Sequence, residues 1–314
     1  MKILLTGGTS FTGLWFAKAL VEAGHKVVAT TRGDLGNSDG VRGVRIRELA
    51  AIAEIRESIS FGDDGFLAMT RSESFDVLCH HAAEVGNYKS LDFDVSGAIA
   101  ANTKNMALVL EAMKANGLRA VVATGSVFEN DNGVGDGLLE AFSPYGLSKS
   151  LSYQVVRFWA RRVGVRLGKF NIANPFGVLE EPRFCNFLIQ TWAKGETARV
   201  NTPTYLRDNI FVDRLALHYA AFVADIVTSV TDQTIGPIGF AESQGAFAQR
   251  FAAAMRPRLG LECKLELGEQ INFDEPMIRL NSDRLAPPIG WSDDAAWDRL
   301  AAYYAESLPW LTAS

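Results

Sequence analysis

An apolar run that breaks into glycine after only a few residues constrains this chain more than any other feature. Lys2-Ile3-Leu4-Leu5 reads as a strand, Thr6-Gly7-Gly8-Thr9-Ser10-Phe11-Thr12-Gly13 as a turn, and Leu14-Trp15-Phe16-Ala17-Lys18-Ala19-Leu20-Val21 as a helix. Glycines let a backbone approach a pyrophosphate, and the helix behind them offers unpaired N–H groups and a partial positive charge. Glycines alone are weak evidence. Set between a buried strand and an amphipathic helix, they point to a dinucleotide site.

Strand and helix patterns then alternate. Further strands are expected at 26–30, 44–46, 75–79, 120–124 and 165–170. One long helix is expected over 94–116, with Ile99, Met106, Leu110 and Met113 at helical spacing and Gly117 as its stop. Another helix starts at Ser143-Pro144. Strands separated by helices imply an α/β fold with a Rossmann-type, doubly wound parallel sheet. After Asn174 the pattern loosens into helices at 184–192, 245–255 and 294–308 and strands at 209–212 and 261–265. A chain of 314 residues exceeds the usual single core. We therefore expect a dinucleotide-binding domain over 1–170, with 207–235 returning to it, and a smaller mixed substrate lobe over 171–206 and 236–314.

Bulk properties narrow the function. The formal net charge of −5 argues against nucleic acid as a partner. No stretch has the length of a membrane span, and Thr6-Gly7-Gly8 interrupts any leader-like apolar run. Cys79, Cys185 and Cys263 are odd in number and form no CxxC, so reduced thiols, a cytoplasmic setting and no metal site are expected.

Cofactor choice is read at the end of the second strand. An acid there would hold ribose hydroxyls, but the chain has Thr30-Thr31-Arg32-Gly33, with no carboxylate before Asp34. A guanidinium pairs with a 2′-phosphate in a forked geometry, so Arg32, helped by the hydroxyls of Thr31 and Ser10, favours NADP(H) over NAD(H). The plainer reading of Arg32 is a solvated loop cation.

Ser143-Pro144-Tyr145-Gly146-Leu147-Ser148-Lys149 carries the second signal. Ser143 suits an N-cap and Pro144 the first helical position, which puts Tyr145 and Lys149 one turn apart on one face. An ammonium near a phenol lowers its pKa and prepares it for proton transfer. Thr124, at the end of the fifth strand, offers a second hydroxyl to a substrate oxygen. Ser126 is its rival, with a local turn bond as the bland alternative. His80 and His81 finish a strand beside the cofactor, and their spacing is not that of metal ligands on one helix face.

Taken in order, Thr6-Gly7-Gly8…Gly13, His81-Ala82-Ala83, Asn102, Ala123-Thr124-Gly125-Ser126-Val127-Phe128, Pro144-Tyr145…Lys149, Asn174-Pro175-Phe176-Gly177, Arg207-Asp208-Asn209-Ile210-Phe211-Val212 and Ile289-Gly290-Trp291 span nearly the whole chain. The sequence resembles an extended short-chain dehydrogenase/reductase of the nucleotide-sugar epimerase/dehydratase/reductase group. The resemblance implies that Thr124, Tyr145 and Lys149 are catalytic. It implies that Gly7, Ser10, Phe11, Thr12, Gly13, Thr31, Arg32, Ala82, Ala83 and Asn102 meet the cofactor together with Tyr145 and Lys149. Ser126, Asn174 and Arg207 would meet a nucleotide-sugar substrate. A second diphosphate arginine would fall near Asn272, with Arg279 as a shifted substitute. Dehydratases of this group have Asp-Glu directly after the threonine, where this chain has Gly125-Ser126. The stretch 175–189 resembles nucleotide-linked 4-keto-6-deoxyhexose reductases. The expected activity is therefore an NADPH-dependent keto-sugar reductase. The alternatives are a 4-epimerase and, outside catalysis, an NADP(H) sensor, which would typically lack the Tyr–Lys pair. A homodimer built on the Tyr145 helix and the helix before it is also implied, with Phe158 and Trp159 suited to the contact.

Overall fold

A computed structural model of the chain describes residues 1–33, 35–36 and 38–311; Asp34 lies outside them. The order is β1 (Lys2–Thr6), α1 (Phe11–Glu22), β2 (Lys26–Thr30), α2 (Gly40–Ile52), β3 (Glu54–Arg56), α3 (Asp64–Ser72), β4 (Val77–His80), α4 (Val95–Asn102), α5 (Met106–Ala115), β5 (Ala120–Ser126), β6 (Val134–Gly135) and α6 (Pro144–Val163). There follow β7 (Arg166–Ile172), β8 (Asn174–Phe176), α7 (Phe184–Ala193), β9 (Ala198–Val200), β10 (Leu206–Phe211), α8 (Val212–Thr228), β11 (Gln233–Ile235), β12 (Phe240–Ser243), α9 (Gln244–Leu259), β13 (Leu265–Leu267), β14 (Ile278–Leu280) and α10 (Asp293–Leu311).

Among the described residues the large sheet has seven strands, ordered β11-β7-β5-β4-β1-β2-β3. Its pairings are parallel throughout. Both faces are covered, which is why β1 and β5 read as nearly continuous apolar runs rather than alternating ones. One face packs Ile3, Leu5, Val27 and Val122 against α1 and α8, with Phe16 stacked on Tyr219 at 3.9 Å between ring centres. The other packs Leu4, Val28, Val121 and Leu167 against α3, α5 and α6. Each fully buried large apolar side chain here stabilises the fold by roughly 1.5–3 kcal/mol.

A smaller mixed sheet, β12-β10-β14-β6 with β8 beside β10, forms the second lobe. Its aromatic core joins Phe176, Phe211, Phe247, Phe251, Trp297 and Tyr304. The chain crosses between the sheets at Ala173, so Asn174 stands at the joint, and β10 leads without a break into α8, which returns to pack on α1. No described helix is long and apolar enough to cross a membrane.

Three expected elements differ. The strand at 44–46 is the middle of α2: its buried Gly43, Ile46 and Leu49 recur every three residues, and the true edge strand is β3. The Val-Arg-Ile alternation imitated a strand because Arg45 is itself buried. The long helix over 94–116 is two helices, broken at Asn105, whose φ of 51° is left-handed and whose amide donates to Gly62 O at 2.9 Å. The strand expected at 261–265 is not formed: Cys263 has a positive φ, 48°, and β13 begins only at Leu265 and runs on to Leu267.

Candidate active site

Local geometry builds the cofactor end of the site. Gly7 has a φ of 75°, and a Cβ there would lie 2.9 Å from the Ala82 backbone, so the close approach of β1 to the segment after β4 requires glycine. A Cβ on Gly13 would lie 2.2 Å from Gly7 O, which ties the turn to the start of α1. Ser10 caps α1, with its Oγ accepting from Gly13 N at 3.1 Å and donating to Gly7 O at 2.9 Å. Its hydroxyl is thus engaged inside the turn. The Thr31 hydroxyl is also engaged, with Gly33 O at 2.9 Å.

A crevice of about 1910 Å³ runs along the carboxyl edge of the large sheet, between the lobes. Its wall includes Gly7, Ser10, Phe11, Thr12, Thr31, Arg32, Ala82, Ala83, Asn102, Thr124, Ser126, Tyr145, Lys149, Asn174 and Arg207. Every residue expected to be catalytic or to meet cofactor or substrate thus lines this one cavity, except Gly13.

Pro144 occupies the first turn of α6 and Ser143 caps it through Gly146 N, which fixes Tyr145 and Lys149 as expected. The electrostatics differ from expectation. Lys149 Nζ donates to the Thr124 carbonyl at 2.6 Å, and burial lowers the ammonium's pKa. Burial, then the Glu129 charge, pushes the Tyr145 phenol well above its usual value, and the cation that opposes them is Arg183. Among the protein's own groups the net effect is to raise the phenol's pKa, and Lys149 is not among those that lower it. Tyr88, Phe93 and Phe128 surround its ring at 6.0–6.2 Å between centres.

His81 makes contacts that its strand-end position did not reveal. Its Nε2 lies 3.0 Å from Ser10 Oγ and 3.1 Å from Thr12 Oγ1, and its Nδ1 lies 3.1 Å from Thr124 Oγ1. Burial and the Lys149 charge lower its pKa to about 3, so the ring is neutral. Because the Ser10 proton goes to Gly7 O, Nε2 is assigned as the donor to Ser10, and Nδ1 then accepts the Thr124 proton. With that tautomer Thr124 presents lone pairs to the crevice.

The remaining candidates divide. Ser126 Oγ accepts from Phe128 N at 3.2 Å, the local turn bond named as its bland alternative. The Asn102 side chain accepts from Glu84 N at 2.7 Å and donates to Ser152 Oγ at 3.3 Å. Arg207 pairs with Glu275 at 2.8 Å and donates to the carbonyls of Leu206 and Met277. Arg279 does not substitute for a diphosphate arginine: it is 1 % exposed and donates to the carbonyls of Val127, Glu129 and Glu140. It secures the loop between β5 and α6.

Sequence reasoning missed two acids. Glu129 is buried and pairs with Lys169 at 2.6 Å; nothing in its spacing announces this, because the partner lies two elements away. Glu180 is nine-tenths buried, has one oxygen without a partner among the described residues, and has a pKa raised by burial to about 8. Its loop is clamped by Arg45, which donates to Thr9 O and Leu179 O and pairs with Glu181 at 2.6 Å.

Comparison with known proteins adds the following. The model of the NAD dependent epimerase/dehydratase family matches residues 3–235. A Methanocaldococcus jannaschii protein named for UDP-glucose 4-epimerase is 24% identical over 190 residues, spanning 58% of this chain and 58% of that one. In fold the chain is similar to UDP-glucose 4-epimerase of Thermotoga maritima with UDP-glucose (TM-score 0.74, 18% identity, 98% and 100% of the two chains covered). It is also similar to UDP-glucuronic acid 4-epimerase of Bacillus cereus with UDP-glucuronic acid and NAD (0.74, 18%, 98% and 99%). A third is the dTDP-glucose 4,6-dehydratase of Streptomyces venezuelae with NAD (0.73, 18%, 99% and 98%).

Proposed function

Since the chain belongs to the NAD-dependent epimerase/dehydratase family, we propose that it is an NADPH-dependent reductase of a nucleotide-linked keto-sugar of the 4-keto-6-deoxyhexose type. The observation that carries this reading is the pair Tyr145 and Lys149 on one helix face, lining the same crevice as the glycine turn. The cradle suits a dinucleotide: Gly7 and Gly13 leave no room for a Cβ, and the start of α1 faces the cavity. Bound there, a nicotinamide supplies hydride.

The chain's own residues supply the rest. Tyr145 gives its proton to the carbonyl oxygen as that oxygen becomes an alcohol. Lys149, fixed by the Thr124 carbonyl, places a positive charge beside that oxygen. Thr124 accepts from a neighbouring sugar hydroxyl. Arg32 at the end of β2 supports NADP(H). Dehydration is disfavoured because Gly125 and Ser126 follow Thr124, so neither position after it carries an acid. Asn174 and Arg207 supply the nucleotide-sugar side of the wall. The exposed face of α6 supports a homodimer.

A second reading, a 4-epimerase, is favoured by Glu84 beside Arg32, a carboxylate that suits NAD. The discriminating variant for catalysis is Tyr145→Phe. With NADPH and a panel of nucleoside-diphosphate 4-keto-sugars, its turnover should fall by about 100-fold or more. NADPH affinity by fluorescence titration should stay within about twofold. Unchanged turnover would remove Tyr145 from the mechanism.

A further inference from the structure

Resting on the reading that the crevice takes a nicotinamide dinucleotide, we infer that Glu84 is a cofactor-selecting residue which withholds Arg32 from a 2′-phosphate. The sequence places no acid at the end of β2 among the described residues, but the fold brings one there from another strand. Arg32 Nη1 donates to Glu84 Oε2 at 2.7 Å. The two residues follow β2 and β4, which flank β1 on either side, so the ion pair spans the carboxyl end of β1, above the glycine turn. Both residues line the crevice. In a sheet of this kind the adenosine ribose lies at that edge, within reach of the group that ends β2.

Glu84 is not a drifting surface acid. Its backbone N–H is pinned to Asn102 Oδ1 at 2.7 Å, and buried Asn102 is in turn fixed to Ser152 of α6. The Glu84 backbone therefore has a set position relative to the sheet edge, and from it the carboxylate, 38% exposed, pairs with Arg32, 68% exposed at its side chain.

One site thus holds two opposite readers. A ribose 2′-hydroxyl can donate to the Glu84 carboxylate. A 2′-phosphate must take Arg32 from Glu84 and then lie beside an uncompensated negative charge. Arg32 gives the preference for NADP(H), and Glu84 limits it. Neutralising Glu84 frees the guanidinium and removes the repulsion, whereas it takes a charged acceptor from the 2′-hydroxyl of NADH.

The test is fluorescence titration of the full chain with NADPH and with NADH, for wild type, Glu84→Gln and Arg32→Met, with thermal melts to check folding. A hydrogen bond to a charged group is worth enough that the ratio of NADH to NADPH dissociation constants should rise about tenfold or more in Glu84→Gln. It should fall by a similar factor in Arg32→Met. An unchanged ratio in Glu84→Gln, or equal weakening of both cofactors, overturns the selector role and leaves the dinucleotide site standing. Failure of wild type to bind either cofactor overturns the dinucleotide reading itself.

Discussion

Each arginine that the sequence offers to a phosphate already has company: Arg32 has Glu84, Arg207 has Glu275, and Arg279 has three backbone carbonyls. None of these partnerships is visible in the sequence, because each joins positions more than 50 residues apart. The glycines and Tyr145–Lys149 were legible because their roles are local, set by a turn and by one helical turn. The raised pKa of Tyr145 was not, because burial and the Glu129 charge that raise it, and the Arg183 charge that opposes them, all come from outside its helix. Glu180 gives a pH prediction at this scale. Its pKa, about 8 when folded against a usual 4.5, is raised by burial. The folded state therefore holds a proton that the unfolded chain releases, and stability is full below pH 4.5 and lost as pH rises toward 8. Thermal melts should show Glu180→Gln gaining on wild type at alkaline pH, with the gap closing toward pH 5. A gap of equal size at both ends would rule out buried ionisation as the cause.

Among the elements, α6 does most to position the chemistry. Its capped, proline-led start aims Tyr145 and Lys149, its middle buries Val156 and Ala160 against the sheet, and its outer face leaves Leu147, Leu151 and Phe158 exposed. These three recur at four and eleven residues from the first, so they share one stripe. Leu108 on α5 is also half-exposed, whereas Trp159 packs inward. Sedimentation of wild type should give a dimer mass, and Phe158→Asp should shift it to monomer with NADPH affinity retained. A monomeric wild type would contradict the proposed contact. The elements misread in the sequence have physical causes of the same sort. A buried arginine in α2 mimicked strand alternation, and a left-handed Asn105, held by Gly62 O, split a helix whose apolar spacing continues through the break.

At the scale of the whole molecule, the site exists because the chain leaves the large sheet at Ala173 and returns through α8, which leaves a crevice between two sheets. The alternation of strands and helices made the large sheet readable. The second lobe was harder to read, since its short strands come from distant segments and are specified by pairing across the lobe rather than by local pattern. The central claim is that this crevice sets a nicotinamide against a keto-sugar carbon while Tyr145 supplies the proton. The most direct measurement is isotope transfer from NADPH deuterated at the transferable C4 position to a nucleoside-diphosphate 4-keto-6-deoxyhexose, followed by mass spectrometry and NMR of the sugar. The account predicts one deuterium at sugar C4 for each NADPH oxidised. Product formed without deuterium and without net NADPH oxidation would contradict it.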